Sequence, residues 1–123
     1  MTPPDIFPLE GRTYLFARRC RDFTRQLPET PENREYIKQL LRSSGSQAAN
    51  YIEANESLSK KDFCHRIKIA LKETKESALW IRLCNCGSNK SLEDLQEKLL
   101  QEALELRKIF SAIFIKVHRT KQS

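Results

Sequence analysis

A chain of 123 residues is long enough to bury one core and too short for two, and 31% of its residues are charged. Its 22 Lys and Arg outweigh 16 Asp and Glu to give a net charge of +6, a balance that draws polyanions and makes nucleic acid the first partner to test. MTPPDIFPLEGR has no basic-then-apolar layout, and no run approaches the roughly 18 apolar residues of a membrane span, so neither secretion nor membrane insertion is expected and a cytoplasmic location is.

Four segments carry the 3.6-residue apolar period, which predicts an all-α chain. The first, about 9–27, places Thr13, Phe16, Cys20, Phe23 and Leu27 on one stripe, and Pro28 ends it. The second, 33–58, follows Pro31 and sets Ile37, Leu41, Ser44, Ala48, Ile52 and Asn55 on its inner line, with Leu40 and Tyr51 at the edge. It contains RSSGSQAANYIEANES, residues 42–57, whose Gly, Ser and Asn content would suit a loop although the spacing stays helical. Ser44 with Ala48, and Gly45 with Ala49, are small-xxx-small steps that let backbones approach closely, so Gly45→Leu is expected to disrupt the bundle or its assembly. Asn55 on the core line is expected to find polar partners and fix register between helices.

Ser59 followed by Asp62 predicts the N-cap of a third helix, 60–85, with Phe63, Ile67, Ala70, Thr74, Ala78 and Ile81 inward. NCGSNKS, residues 85–91, is the clear later loop, with Gly87 suited to a helix end and Ser91 to the next cap. The fourth helix, 92–117, carries Leu99, Ala103, Leu106, Phe110, Ile113 and Val117 on its core stripe. A second strip of Leu100, Leu104 and Ile115 lies roughly 100° to 160° around from Leu99. One core has no use for it, so it marks a subunit contact, and a homo-oligomer is expected. Residues 118–123, HRTKQS, read as a frayed basic tail. Amphipathic helices joined by short connections predict an antiparallel up-down-up-down four-helix bundle, with 1–123 a single domain.

Three groups of cations are candidates for phosphate contact. Arg18, Arg21 and Arg25 share the outer face of the first helix, Lys61, Lys68, Lys72 and Lys75 that of the third, and Lys116, Arg119 and Lys121 cluster at the C-terminal end. Any solvated helix displays such residues, yet three groups on one chain point to sequence-independent binding driven by counterion release. No reading helix, zinc finger or aromatic platform is present to specify bases.

Chemistry beyond binding finds little support. Glu53 with Glu56, and Glu73 with Glu76, form the ExxE pairs from which bundle di-metal sites are built, but His65 and His118 fill no ExxH slot. With Lys60, Arg66, Lys72, Lys75 and Arg82 nearby, salt bridges are expected in place of a metal, and Glu56 and Glu73 are assigned to a polar network that supports assembly. Cys84 and Cys86 form a CxC without zinc-knuckle spacing, while Cys20 and Cys64 stand apart, so free thiols and no cofactor are expected. Ser43, Ser44 and Ser46 have no histidine near them in sequence, and no Gly-rich phosphate loop or GxSxG elbow occurs. No catalytic residue is assigned and no enzyme is expected.

The stretch LLRSSGSQAANYIEANESLSKKDFCHRIKIALKETKESALWIRL, residues 40–83, resembles the signature of the bacterial four-helix-bundle family first noticed as reading frames inside intervening sequences of 23S rRNA genes. The similarity is strongest at RSSGS, ANYIEAN, KKDF and KESALWIRL, and extends from FARRCRDFTRQLP to IFSAIF. It implies a left-handed up-down bundle that closes into a homopentameric ring, with no enzyme activity. The family is also similar in fold to accessory proteins of diversity-generating retroelements, basic pentameric barrels that bind a reverse transcriptase and nucleic acid. Gln47 and Ala48 stand where many relatives have an apolar residue and glycine, and Cys84-Asn85-Cys86 lies outside the family pattern. Residues and resemblance together support two readings. One is a non-enzymatic oligomer that binds rRNA, other RNA or DNA through basic outer faces. The other is a protein-interaction scaffold that docks a reverse transcriptase or similar enzyme.

Overall fold

Helix ends in this protein are set by side chains that satisfy otherwise unpaired backbone groups. The computed structural model describes residues 8–122, with side chains as far as Arg119, and consists of α1 (Pro8–Thr24), α2 (Pro31–Asn55), α3 (Lys60–Leu83) and α4 (Lys90–Gln122). Among the described residues there is no strand. The side chain of Lys121 therefore lies outside the described residues. Thr30 accepts from the Asn33 amide at 3.1 Å to open α2, where Pro31 occupies a first turn that needs no N–H. Ser59 does the same for α3 through the Asp62 amide at 3.1 Å.

Several boundaries differ from the pattern-based reading; α2 spans Pro31–Asn55 rather than 33–58, and α3 ends at Leu83 rather than 85. α1 stops at Thr24, and residues through Leu27 continue as a turn held by Gln26 N–H on Phe23 O and Leu27 N–H on Thr24 O. α4 begins two residues earlier than expected, because Asn89 rather than Ser91 is the cap and accepts from the Leu92 amide at 3.1 Å. The turn before it uses left-handed backbone at Gly87 (φ 61) and Ser88 (φ 45). A Cβ on Gly87 would also stand 2.9 Å from Pro28 Cγ, so this loop is closely fitted as well as sharply bent. At its far end α4 runs on to Gln122 instead of fraying after Val117. Nothing in HRTKQ breaks a helix, and its cations sit favourably at the negative end of the helix dipole.

The core joins Phe16, Cys20 and Phe23 of α1 to Leu40 and Ala54 of α2, Ile67, Ala70 and Ile81 of α3, and Leu99, Ala103, Leu106 and Phe110 of α4. α2 packs on α1 and α3, and α4 packs on α3 and α1. Among the described residues α1 and α3 share no contact, an arrangement consistent with a four-helix bundle. None of these helices is long and apolar enough to cross a membrane.

The inner stripes of α1, α3 and α4 fall largely where the periodicity places them, but α2 is rotated by about one residue. Its buried line is Leu40, Ser43, Ser44, Gln47, Ala48 and Ala54, whereas Leu41 and Ile52 are 42% and 41% exposed. The cause is polar pairing. Ser43 Oγ meets Ser77 Oγ at 2.8 Å, and Gln47 Nε2 donates to Thr13 O at 2.8 Å and to Ser44 O at 2.9 Å. Buried hydroxyl and amide groups that find partners can occupy a core that hydrophobicity alone would assign to leucine. Asn55 is consequently not a core residue: it is exposed, and its Nδ2 donates to Glu10 Oε1 at 3.4 Å. Gln47 is the buried amide that links helices instead.

Ser44 and Ala48 are buried as the small-residue spacing predicts, but Gly45 and Ala49 are exposed. A Cβ added at Gly45 would meet nothing within 4 Å. The expectation that Gly45 allows close approach inside the bundle is therefore corrected, because no described residue comes within 4 Å of a Cβ there.

Candidate nucleic-acid interface

The most consequential polar contact is made by Arg42 of α2, which reaches across to α3. Its Nη2 donates to Glu73 Oε1 at 3.1 Å and Glu76 Oε1 at 2.9 Å, and its Nη1 to Glu73 Oε2 at 3.4 Å. Glu73 is buried, so this cation supplies the charge partner that a carboxylate needs there. The ExxE pair of α3 is thus tied up by an arginine. Among the described residues no three His, Cys, Asp or Glu side chains converge on a possible metal position. Glu53 and Glu56 are exposed, and Glu56 caps the end of α2 with its backbone N–H on Ala54 O and Glu53 O.

With Glu73 and Glu76 drawn toward α2, the outer side of α3 is left to cations. Lys61, Lys68, Lys72 and Lys75 are all exposed, and none of them pairs with an acid of the described residues. His65 lies on the same line, and His65, Lys68, Lys72 and Lys75 border an open groove of about 540 Å³ floored by Ile69 and Leu71.

The structure does not merge the three candidate basic groups. Arg18, Arg21 and Arg25 are exposed on and just after α1, but α1 does not touch α3. Arg21 is further tied to Asp22, with Nη2 3.1 Å from Oδ1. Arg18 and Arg21 border a groove of about 280 Å³ together with Tyr14, Leu41, Ser44 and Gly45, so their surroundings are partly apolar. Lys116 and Arg119 are exposed on the last turns of α4.

The candidate assembly strip on α4 is divided in the same way. Leu100 packs against the core and does not belong to an outer strip, while Leu104 and Ile115 line an open groove of about 540 Å³ together with Glu105, Arg107 and Lys108, so this apolar strip is bordered by charge. Ile115 is 47% exposed, in company with Tyr14 at 48% on the other side of the chain.

All four cysteines are free and buried. Burial above all, with a smaller contribution from Cys86, pushes the Cys84 thiol from an ordinary 9.0 up to about 12. Burial likewise raises Cys20 and Cys86, and Cys86 Sγ donates to Gln96 Oε1 at 3.4 Å. Such thiols stay protonated and shielded, which suits packing and not nucleophilic attack.

Sequence reasoning identifies the lysine line of α3 but misses Arg42, which makes that line uncompensated. No local signal marks it, since Arg42 and Glu73 are 31 positions apart and meet only when two helices pack.

These features define a class: a small all-α protein, consistent with a four-helix bundle, whose most distinctive exposed surface is cationic. The model of the 23S rRNA-intervening sequence protein family matches residues 11–112. The chain belongs to that family, the one to which the motifs of α2 and α3 point. It is also similar to a solved structure from Bacteroides thetaiotaomicron VPI-5482, a protein of unknown function from the S23 ribosomal protein family. The two share 27% identity with a TM-score of 0.73, covering 86% of this chain and 97% of the other. No curated protein matches this chain.

Proposed function

We propose that this protein is a non-enzymatic, cytoplasmic, oligomeric four-helix bundle that binds RNA or DNA through its phosphates without reading sequence. The observation that carries the reading is the lysine line of α3, left without acid partners because Glu73 and Glu76 are bonded to Arg42. Lys61, Lys68 and Lys75 recur at seven-residue steps, about 10.5 Å apart along the helix axis, and so present a regular row of charges. Each lysine that neutralises a phosphate releases counterions, which makes such binding strong at low salt and weak at high salt.

An antiparallel up-down order is supported by the pairing between α2 and α3. Asn33 meets Asn85, Ser43 meets Ser77 and Asn50 meets Arg66, so numbers fall along α3 as they rise along α2. Assembly of the left-handed bundle into a ring, pentameric as the family resemblance implies, accords with two unlike apolar surfaces, one around Tyr14 and Leu41 and one around Leu104 and Ile115. A head-to-tail contact uses one surface of each kind and closes when the rotation permits. Five chains would bring the charge to about +30 and multiply the contacts made to one polyanion.

The test is binding to rRNA fragments and to mixed-sequence DNA at about 50 and 200 mM salt. Tight binding at the lower salt that weakens by orders of magnitude at the higher is expected, with little preference among sequences. No binding at the lower salt removes the proposal. The exposed apolar surfaces favour a second reading, a scaffold that docks a partner protein such as a reverse transcriptase. That reading takes over if the oligomer forms and nucleic acid does not bind.

A further inference from the structure

The acids of α4 are sorted as those of α3 are. Arg12 of α1 grips Glu102, with Nε 3.0 Å from Oε2 and Nη2 2.7 Å from Oε1. The Glu102 hydrogen bond above all, then the charges of Glu102 and Glu105, hold the Arg12 guanidinium above its already high ordinary value. Glu102 is therefore turned toward α1. Two arginines thus act on opposite flanks: Arg42 collects Glu73 and Glu76 of α3 toward α2, and Arg12 draws Glu102 of α4 toward α1. What remains between these flanks is the seam where α3 packs on α4.

Cations occupy both sides of that seam. Gln96 Nε2 donates to Ile81 O at 2.8 Å and Cys84 O at 2.9 Å, which identifies the side of α4 that faces α3. Arg107 follows Gln96 by eleven residues, about 20° around the helix, and emerges on that same side. On α3, Lys68 and Lys75 lie roughly 140° to 180° around from Glu73 and Ser77, the residues that meet α2. In the antiparallel order proposed above, Ile81 opposite Gln96 sets Arg107 level with Ala70, between Lys68 and Lys72. Lys108 lies about 100° further around, on the outer face of α4, where it and Arg107 line the groove of Leu104 and Ile115, and neither pairs with an acid of the described residues.

We infer that the α3–α4 seam, built from Lys68, Lys72, Lys75 and Arg107 and extended onto the outer face of α4 by Lys108, is one continuous site for a nucleic-acid phosphate backbone, and that the α1 arginines are not part of it. This inference rests on the nucleic-acid reading and adds to it a direction and two residues from another helix. The α1 arginines are excluded by position, on a helix that does not touch α3, and by the apolar company of Tyr14 and Leu41.

The experiment compares full-length wild type with three variants: Lys68→Gln/Lys72→Gln/Lys75→Gln, Arg107→Gln/Lys108→Gln, and Arg18→Gln/Arg25→Gln. All these positions are exposed, and circular dichroism checks that helicity is kept. Probes are a mixed-sequence RNA duplex and a DNA duplex of about 20 base pairs, with poly-glutamate as a non-phosphate polyanion, titrated across salt. The α3 variant is expected to reduce the salt slope by about 3 and the α4 variant by about 2, while the α1 variant leaves it unchanged. RNA and DNA duplexes are expected to respond alike to each variant, and a variant effect confined to one of them overturns the shared phosphate site. An unchanged slope in the α4 variant beside a reduced one in the α3 variant overturns the seam and leaves the nucleic-acid reading intact. A loss in the α1 variant equal to that of the others overturns the exclusion. Poly-glutamate binding as tight as the duplexes overturns the phosphate assignment, and failure of wild type to bind any nucleic acid overturns both readings together.

Discussion

Every cysteine of this chain is buried, and burial decides what the thiols do. Cys84 illustrates the consequence for stability. Its thiol is raised from 9.0 to about 12 in the fold, mainly because a thiolate would be poorly solvated there. Below pH 9 folded and unfolded chains both keep the proton, and this contribution to stability is fully present. Above 9 the unfolded chain releases protons that the folded chain retains, so the unfolded state binds fewer protons and stability falls as pH rises toward 12. Urea midpoints are therefore expected to hold steady from pH 7 to 8.5 and to decline above about 9, less steeply in Cys84→Ala. Buried thiols should also react slowly with a disulfide reagent at pH 8 and release all four equivalents on unfolding. Rapid reaction of Cys84 in the native protein would contradict this account.

Among the elements, the beginning of α2 organises one end of the molecule. Asn33 is fully buried; its Nδ2 donates to Pro28 O and Asn85 O, and its Oδ1 accepts from the Asn85 amide, each at 2.9 Å. One side chain thereby fastens the loop at 84–89 to the loop at 25–30. Asn33→Ala leaves three backbone groups without these partners, and a loss of about 2–3 kcal/mol in urea unfolding is expected, with faster amide exchange at the 84–89 loop. A loss below about 0.5 kcal/mol would show that water replaces the amide freely. Contacts of this kind mark the limit of what the sequence makes legible. The stripes of α1 and α3 can be read from Phe16, Cys20, Phe23, Ile67, Ala70 and Ile81 because apolar spacing alone specifies them. α2 cannot be read that way, since Ser43 and Gln47 are buried by partners on other helices. The lysine line of α3 is visible in the sequence for the same reason that its core is: it has the helical period. Its freedom from acids is not, because that depends on where Arg42 points once the helices meet.

At the scale of the whole molecule, each apolar groove is bordered by cations, Leu104 and Ile115 by Arg107 and Lys108, Tyr14 and Leu41 by Arg18 and Arg21. The lysine line of α3 borders a separate groove, while the α1–α2 side exposes Tyr14 and Leu41 beside Gly45. Gly45 costs α2 about 1 kcal/mol of helix propensity relative to alanine, and none of the described residues approaches it closely enough to require a glycine. A close contact in the proposed ring gives that position a use. Gly45→Leu should then leave the helicity of the chain intact, since space for a Cβ is open, but fill the groove beside Tyr14 and Leu41 and reduce the mass measured by light scattering. Because the basic seam lies elsewhere, the separated chains should still bind nucleic acid, with affinity for a long duplex lowered by about 100-fold or more as multivalency is lost. The salt slope should fall in proportion to the number of chains lost from each complex, which distinguishes lost valency from a damaged site. A Gly45→Leu protein of full oligomeric mass and unchanged affinity would remove the α1–α2 face from the ring. A smaller species that no longer binds even a short duplex would place self-association and nucleic-acid contact on the same surface, contrary to the division of faces described here.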